Sequence, residues 1–272
     1  MPPYIYKTVA YGGEPKTPDI QSLTAFLHEH HEYTKRHFDL TSYQLAVQIR
    51  AEKKAEIEII GSGGLFLKSR IDEAVCYDEE WHLCCPNWLL YDAEMIQFLS
   101  KQSQYSIPAP NYVVSEEEDE SYYSLCEQYQ MIMRNMRDAG IYRHVLIATH
   151  VDEIFCEELI GRRVSVLMTR DAKEKDIECL LEYQHNIALY DSSRLESLLD
   201  QYSLSTVTLI DPTESDLEIA TELLDEDKIL IGGYNDPENE REKQNEEEVN
   251  NSEWEYWNKI KEKARGQFQS HR

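Results

Sequence analysis

The sequence predicts an α/β protein, and three observations carry that prediction. Between residues 143 and 236 five short apolar runs recur, with a helix-length segment in each of the four gaps between them. Strands joined by helices of about ten residues require right-handed crossovers, and so a largely parallel sheet. Before residue 106 the pattern differs, with helical periodicity ahead of a glycine-punctuated alternating stretch. The expected division is a small N-terminal α+β module (1–105), a proline-containing linker plus a long helix (106–142), an α/β domain of about five mostly parallel strands (143–236), and a charged tail with a terminal amphipathic helix (237–272).

In the first module Thr17-Pro18-Asp19 is a helix start, and Ile20, Leu23, Phe26 and Leu27 follow at helical spacing. A second helix is predicted over 40–54, with Leu45, Ala46 and Ile49 as its buried stripe. Residues 55–60 alternate, and Gly61-Ser62-Gly63-Gly64 followed by Leu65-Phe66-Leu67 predicts a β-hairpin over 55–69. Two helices ahead of a hairpin make the module winged-helix-like, although that fold places a third helix before its wing. Residues 86–99 form another helix candidate, and the S-I-P-A-P-N run at 106–111 is an extended connection. The helix expected over 116–138 opens on five acids, which suit the positive end of its dipole. Its stripe of Met131, Ile132, Met133 and Met136 suits packing or homodimerisation, and Gly140 ends it.

In the third segment strands are predicted at 144–148, 164–168, 186–190, 207–210 and 228–231, with helices at 152–159, 173–183, 192–202 and 216–224 between them. A terminal helix over 253–265 would bury Trp254, Trp257 and Ile260.

The charge is -25, from 27 basic and 52 acidic side chains, and residues 143–236 alone carry 21 acids against 8 bases. Such a field repels phosphate backbones and anionic lipid heads, which argues against nonspecific binding to either. No run of about 18 apolar residues is present, and Met1 to Gly13 lacks the features of a signal peptide. A cytoplasmic chain is therefore expected, with Cys76, Cys84, Cys85, Cys126, Cys156 and Cys179 as reduced thiols.

Ligands bind at the C-terminal ends of strands in parallel sheets, so the candidate ligand-binding residues are His150, Asp152, Arg170, Asp171, Asp191 and Ser192. If Asp152, Asp171 and Asp191 shared a pocket they would suit a hard divalent cation; as separate residues each caps the helix after it. Asp211-Pro212 reads as turn chemistry. The Gly61–Gly64 run lacks the helix and lysine of a phosphate loop. Cys76, His82, Cys84 and Cys85 lie within ten residues but at poor spacing for a tetrahedral site. His28, His31 and Glu32 (with His30 and His37 nearby) share a helix face that could hold a metal but lacks H-E-x-x-H, so buried thiols and a solvated helix face are expected. No catalytic triad, metal site or cofactor is expected. The basic residues of the first module, Lys35, Arg36, Arg50, Lys53, Lys54, Lys68 and Arg70, would face duplex DNA if the module were a reader.

Val164–Leu167, Val207–Asp211 and the turn Gly232-Gly233-Tyr234-Asn235 together resemble one half of a phospholipase D-like domain, over about 70 residues. That family's His-x-Lys-x-x-x-x-Asp motif implies a histidine nucleophile and a phosphate-binding lysine. Counting back from Asp211, those places hold Leu204 and Thr206, so the activity is not implied here.

The favoured expectation is a non-catalytic regulatory or interaction protein, with an acidic sensor or partner-binding domain for a protein or small ligand, no membrane contact, and a homodimer through the 116–138 helix. The alternatives are a ligand-responsive transcription regulator that binds double-stranded DNA, and a metal-dependent hydrolase or nuclease using strand-end carboxylates.

Overall fold

A computed structural model describes residues 6–34, 38–101, 103–114, 119–236 and 253–268. Among them are eight parallel strands: β1 (Lys7–Gly13), β2 (Gly61–Gly63), β5 (Gln104–Pro108), β6 (Arg143–Ala148), β7 (Val164–Met168), β8 (Asn186–Leu189), β9 (Thr206–Ile210) and β10 (Ile229–Asn235). An antiparallel ribbon of β3 (Val75–Asp78) and β4 (Glu80–Leu83) stands apart from them. The hydrogen-bonded orders are β1-β10-β9-β8 and β2-β5-β6-β7. The two arcs join where Ala10 N donates to Ile59 O at 2.8 Å and Ile59 N donates to Thr8 O at 3.0 Å, and where β7 lies alongside β8. The ring therefore runs through all eight strands in chain order.

Helices fill the crossovers: α1 (Ile20–Thr34) and α2 (Leu40–Lys54) after β1, α3 (Lys68–Ala74) and α4 (Asn87–Leu99) after β2, and α5 (Asp119–Asp138) after β5. Then come α6 (Glu153–Leu159), α7 (Glu174–Tyr183), α8 (Leu195–Gln201), α9 (Glu214–Leu223) and, after β10, α10 (Glu253–Ala264). Eight parallel strands closed in chain order inside a ring of helices are a (β/α)8 barrel.

Strand alternation separates the cores. Val9, Tyr11, Val145, Ile147, Leu167, Ala188 and Ile210 point inward and fill the barrel. The residues between them point outward, with Tyr105, Ile107 and Leu146 under α2, α4 and α5, and Leu209 and Ile231 under α10. Trp257 and Ile260 of α10 are fully buried, as the terminal-helix pattern predicts.

An α/β fold with parallel sheets is thus what the chain adopts, and all five strands expected after residue 143 are present. Three expectations change. The 55–69 hairpin does not form: Gly61–Gly63 pairs parallel with β5, so there is no wing. Strands from 1–105 bond directly to strands from 143–236, β1 lying parallel to β10, so both segments contribute to one barrel. Cys76 and Cys84 are joined by a disulfide across the β3–β4 ribbon rather than held as separate thiols. The strands that resemble half a phospholipase D-like domain are three staves of this barrel, and Leu204 is a core residue. Of the expected dimer stripe, Ile132, Met133 and Met136 are buried against the barrel and Met131 is exposed. Residues 237–252 of the tail lie outside the described part. Among the described residues no helix is long and apolar enough to cross a membrane.

The seam between β1 and β2 is the tightest approach in the barrel. Gly12 has φ +88°, and a Cβ there would lie 2.1 Å from Gly63 O. A Cβ on Gly61 would lie 1.9 Å from Ala10 O. Backbone cannot yield as a flexible side chain does, so Gly61→Ala is expected to cost about 1–3 kcal/mol in urea denaturation. Gly161→Ala, with open space around it, should be close to neutral; equal stability losses would disprove the steric account.

Candidate functional site at the barrel mouth

All eight strands point the same way, so their C-terminal ends share one rim, where barrels of this type keep their active sites. Here the rim surrounds a cavity of about 350 Å³, within the range of small-molecule sites. Its lining comes from ends far apart in sequence: Leu65 beyond β2, Arg170 and Asp171 beyond β7, Tyr190 beyond β8, Asp211 beyond β9, and Tyr234 and Asp236 at the end of β10.

Tyr234 is the centre of this lining. Its hydroxyl donates to Glu14 Oε1, on the residue that follows β1. Glu14 is held in turn by Leu65 N (2.6 Å to Oε1) and Phe66 N (3.0 Å to Oε2), while Leu65 N also reaches the Tyr234 oxygen at 3.3 Å. Burial raises the Glu14 pKa above the usual carboxylate range, against the lowering effect of these three donors, and nearby Asp236 raises it further. Burial, with Glu14 beside it, keeps Tyr234 protonated well above its ordinary range. The two groups are joined by one hydrogen bond along which a proton can pass.

The loop geometry around this pair is fixed from below by α2. Gln48 donates through Nε2 to Gly13 O and accepts from Gly63 N, both at 2.9 Å. Glu52 accepts from Gly61 N at 2.9 Å. A single helix thus satisfies backbone groups at the ends of β1 and β2, where side-chain-free strands need outside partners.

The other walls are aromatic and charged. The Arg170 guanidinium lies over the Tyr190 ring, 4.1 Å from its centroid, a stacked cation–π contact. Burial pushes Tyr190 up to about 12, with Arg170 opposing the shift. Tyr112 also rises to about 12, through burial and then Asp171 and Glu14. Asp211 sits at φ +50° and pairs with Lys263 of α10, so a residue in the left-handed region faces the cavity. Its backbone N donates to Gly232 O at 2.9 Å.

Of the six residues expected to bind ligand, the structure places Arg170 and Asp171 in the cavity lining and the other four outside it. His150 Nδ1 lies 2.5 Å from Asp176 of α7. Asp152 caps α6 by accepting from Phe155 N at 2.8 Å. Asp191 accepts from Ser193 N at 3.0 Å. Ser192 is buried, its N and Oγ both donating to Asp216 at 2.9 Å. Asp152, Asp171 and Asp191 therefore do not share a cation site, and among the described residues no group of three His, Cys, Asp or Glu is placed to hold one. Glu14, Asp211, Tyr190, Tyr234 and Asp236 were missed. Only Asp211 carries a signal in the sequence, since a predicted strand ends there, but followed by Pro212 it reads as a turn.

The basic set expected to read DNA does not form one face. Lys35 and Arg36 lie outside the described residues. Arg50 stacks on Phe26 and Lys54 on Trp254. Lys53 donates to Leu99 O, and Lys68 pairs with Asp72. Arg70 is buried between Asp39 and Asp92.

No known family pattern matches the chain, and no curated protein is similar to it in sequence. Two solved structures are similar in outline. One is a B12-independent methionine synthase from Shewanella sp. W3-18-1 in complex with selenomethionine, at 10% identity over 85% of this chain and 90% of that one, with a TM-score of 0.49. The other is PhdJ bound to substrate intermediate, at 11% identity over 84% of this chain and 67% of that one, with a TM-score of 0.46. By their names the first is an enzyme and the second holds a substrate intermediate. The cavity in the C-terminal mouth, where barrels of this type keep their active sites, overturns the expectation of a non-catalytic regulatory protein.

Proposed function

We propose that this protein is an enzyme that hydrolyses a neutral, polyhydroxylated substrate of the carbohydrate class by acid–base catalysis in the barrel mouth. The observation that carries the reading is Tyr234, a protonated hydroxyl in the cavity wall bonded to a half-buried carboxyl whose pKa is raised. Three carboxylates in the lining, Asp171, Asp211 and Asp236, stand against Arg170 and against Lys263, which pairs with Asp211, so the wall stays net negative. That balance repels phosphate and carboxylate substrates, while substrate hydroxyls can donate to the carboxylates. The aromatic walls offer flat apolar faces of the kind small-ligand sites use for orientation.

In the step proposed, the glycosidic C–O bond breaks with its electron pair going to the leaving oxygen. With Glu14 protonated, its hydrogen bond with Tyr234 runs from the carboxyl to the Tyr234 oxygen, so the leaving oxygen takes the Tyr234 proton as Glu14 refills Tyr234. Water adds to the ring carbon and gives its proton to Asp236, so atoms and charge balance and one proton transfer restores the starting state. Glu14 acts through Tyr234 and is a positioning and proton-supplying residue; Tyr234 and Asp236 are the catalytic pair.

Initial rates on a panel of neutral nitrophenyl glycosides, with nitrophenyl phosphate alongside, test the assignment. Turnover of a glycoside and none of the phosphate is expected; the reverse, or no glycoside turnover, would sink it. The pH profile gives a second test. Glu14 must be protonated to refill Tyr234, so activity is lost as pH rises through its raised pKa. Glu14→Gln should remove that alkaline limb as well as slow the reaction, and a variant profile with the same limb would refute the relay.

A further inference from the structure

We infer that the opposite, N-terminal face of the barrel carries a second binding site, for an oxyanion borne on a small apolar body. A cavity of about 390 Å³ opens there between the end of α5 and the loop that leads into β7. Its rim holds Arg137, Arg162 and Arg163, and its floor includes Met133, Leu159 and Ile160.

Three guanidiniums share this rim in a chain of net charge -25. None of the three makes an ion pair with a described residue. Acids outnumber bases 52 to 27, so carboxylate partners were plentiful in composition. Yet the carboxylate in the lining, Glu158, is engaged by Gln130 Nε2 at 2.8 Å. Arg163 stacks on Tyr142, with its guanidinium carbon 5.5 Å from the ring centroid. Stacking steers a planar guanidinium without using its hydrogen-bond donors, which stay available to an anion.

The rim and floor together set the ligand class. Arginine forks match phosphate and carboxylate oxygens, and the apolar floor matches a hydrocarbon or aromatic body. Elsewhere on this acidic surface such a ligand is repelled, so the contrast in local charge supplies selectivity. The barrel separates this cavity from the mouth, and the inference does not depend on the reaction proposed there.

Phenyl phosphate, inorganic phosphate and benzoate are the probes, titrated into the full chain by calorimetry. His144 serves as a local reporter: it is buried beneath α5, its pKa is lowered to about 4 by burial and then by Arg137, and its ring signals can be followed by NMR. Phenyl phosphate or benzoate is expected to saturate, with the His144 signals moving in step, and to bind at least about tenfold more weakly to Arg137→Gln/Arg162→Gln. Arg162→Gln alone, at an exposed position, gives a weaker loss and guards against misfolding of the double variant. The preferred probe identifies the oxyanion as phosphate or carboxylate. Absence of saturation by about 10 mM, equal affinity in the arginine variants, or equal affinity for inorganic phosphate and phenyl phosphate would each overturn the site as described.

Discussion

Tyr234→Phe is expected to lower kcat by about 10²–10⁴-fold, the usual contribution of a positioned proton donor, while KM changes little. The substitution deletes one oxygen, and with it the hydroxyl that faces the cavity and donates to Glu14. The ring stays packed against the barrel interior with Leu65 and Tyr190, so substrate orientation by shape is retained. A structural explanation and a chemical one part company here. If Tyr234 only holds Glu14 in place, unfolding and activity should fall together, and Glu14→Gln should mimic the loss. If it transfers the proton, thermal unfolding moves little, kcat collapses, and rate measurements on substrates with better leaving groups should recover much of the deficit. A variant with near-normal kcat on every substrate would remove Tyr234 from the mechanism.

The second large effect lies far from the mouth. Arg70 on α3 is buried, with Nε 3.1 Å from Asp92 Oδ2 and its terminal nitrogen 2.7 Å from both oxygens of Asp39. Its guanidinium also stacks on Trp88, 4.5 Å from the ring centroid. Asp92 is fully buried and accepts from Ser42 Oγ at 3.1 Å. Arg70→Met leaves that carboxylate without its cation, which typically costs about 3–5 kcal/mol when a buried pair loses one partner.

The pH dependence follows from Asp92. Burial raises its pKa to about 6, with Arg70 acting in the lowering direction. A carboxyl whose folded pKa lies above its unfolded value stabilises most below the unfolded value, and that stability is lost as pH rises through the folded one. The loss in the parent protein therefore falls between about pH 4 and pH 6, bounded by the ordinary and raised values. Without Arg70 the pKa climbs further, so urea denaturation should show a larger penalty for Arg70→Met at pH 8 than at pH 5. An equal penalty at both would mean that lost packing on Trp88, not an unpaired charge, dominates.

How far the sequence reveals the fold differs by strand, for reasons visible in the residues. Strands β6 to β10 are buried on both faces and read as continuous apolar runs such as Val145-Leu146-Ile147, the expected mark of a parallel strand. Strand β2 has no such mark: Gly61-Ser62-Gly63 carries almost no side chain, and glycine there answers the close approach of Ala10. Strand β5 spans Gln104–Pro108 and mixes inward polar residues with a proline, so it resembles a connection. Strand β1 opens on Lys7-Thr8 and ends in two glycines, which leaves only Val9-Ala10-Tyr11 as an apolar run. Its partner β10 lies more than 200 residues away, beyond any local pattern.

The site divides the same way. Arg170 and Asp171 were legible because they follow a recognisable strand. Glu14 and Tyr234 were not, since their significance is a hydrogen bond spanning 220 positions. By itself the sequence determined the α/β class, the run of strands and helices after residue 143, the helix faces that are buried, and the concentration of acidic charge. Only the tertiary structure decided that the N-terminal segments complete the same ring and that a tyrosine from the last strand meets a carboxyl beyond the first. Local periodicity records which face of each element avoids water. Closure of a barrel depends on backbone bonds between strands, and these leave no mark in the spacing of apolar residues.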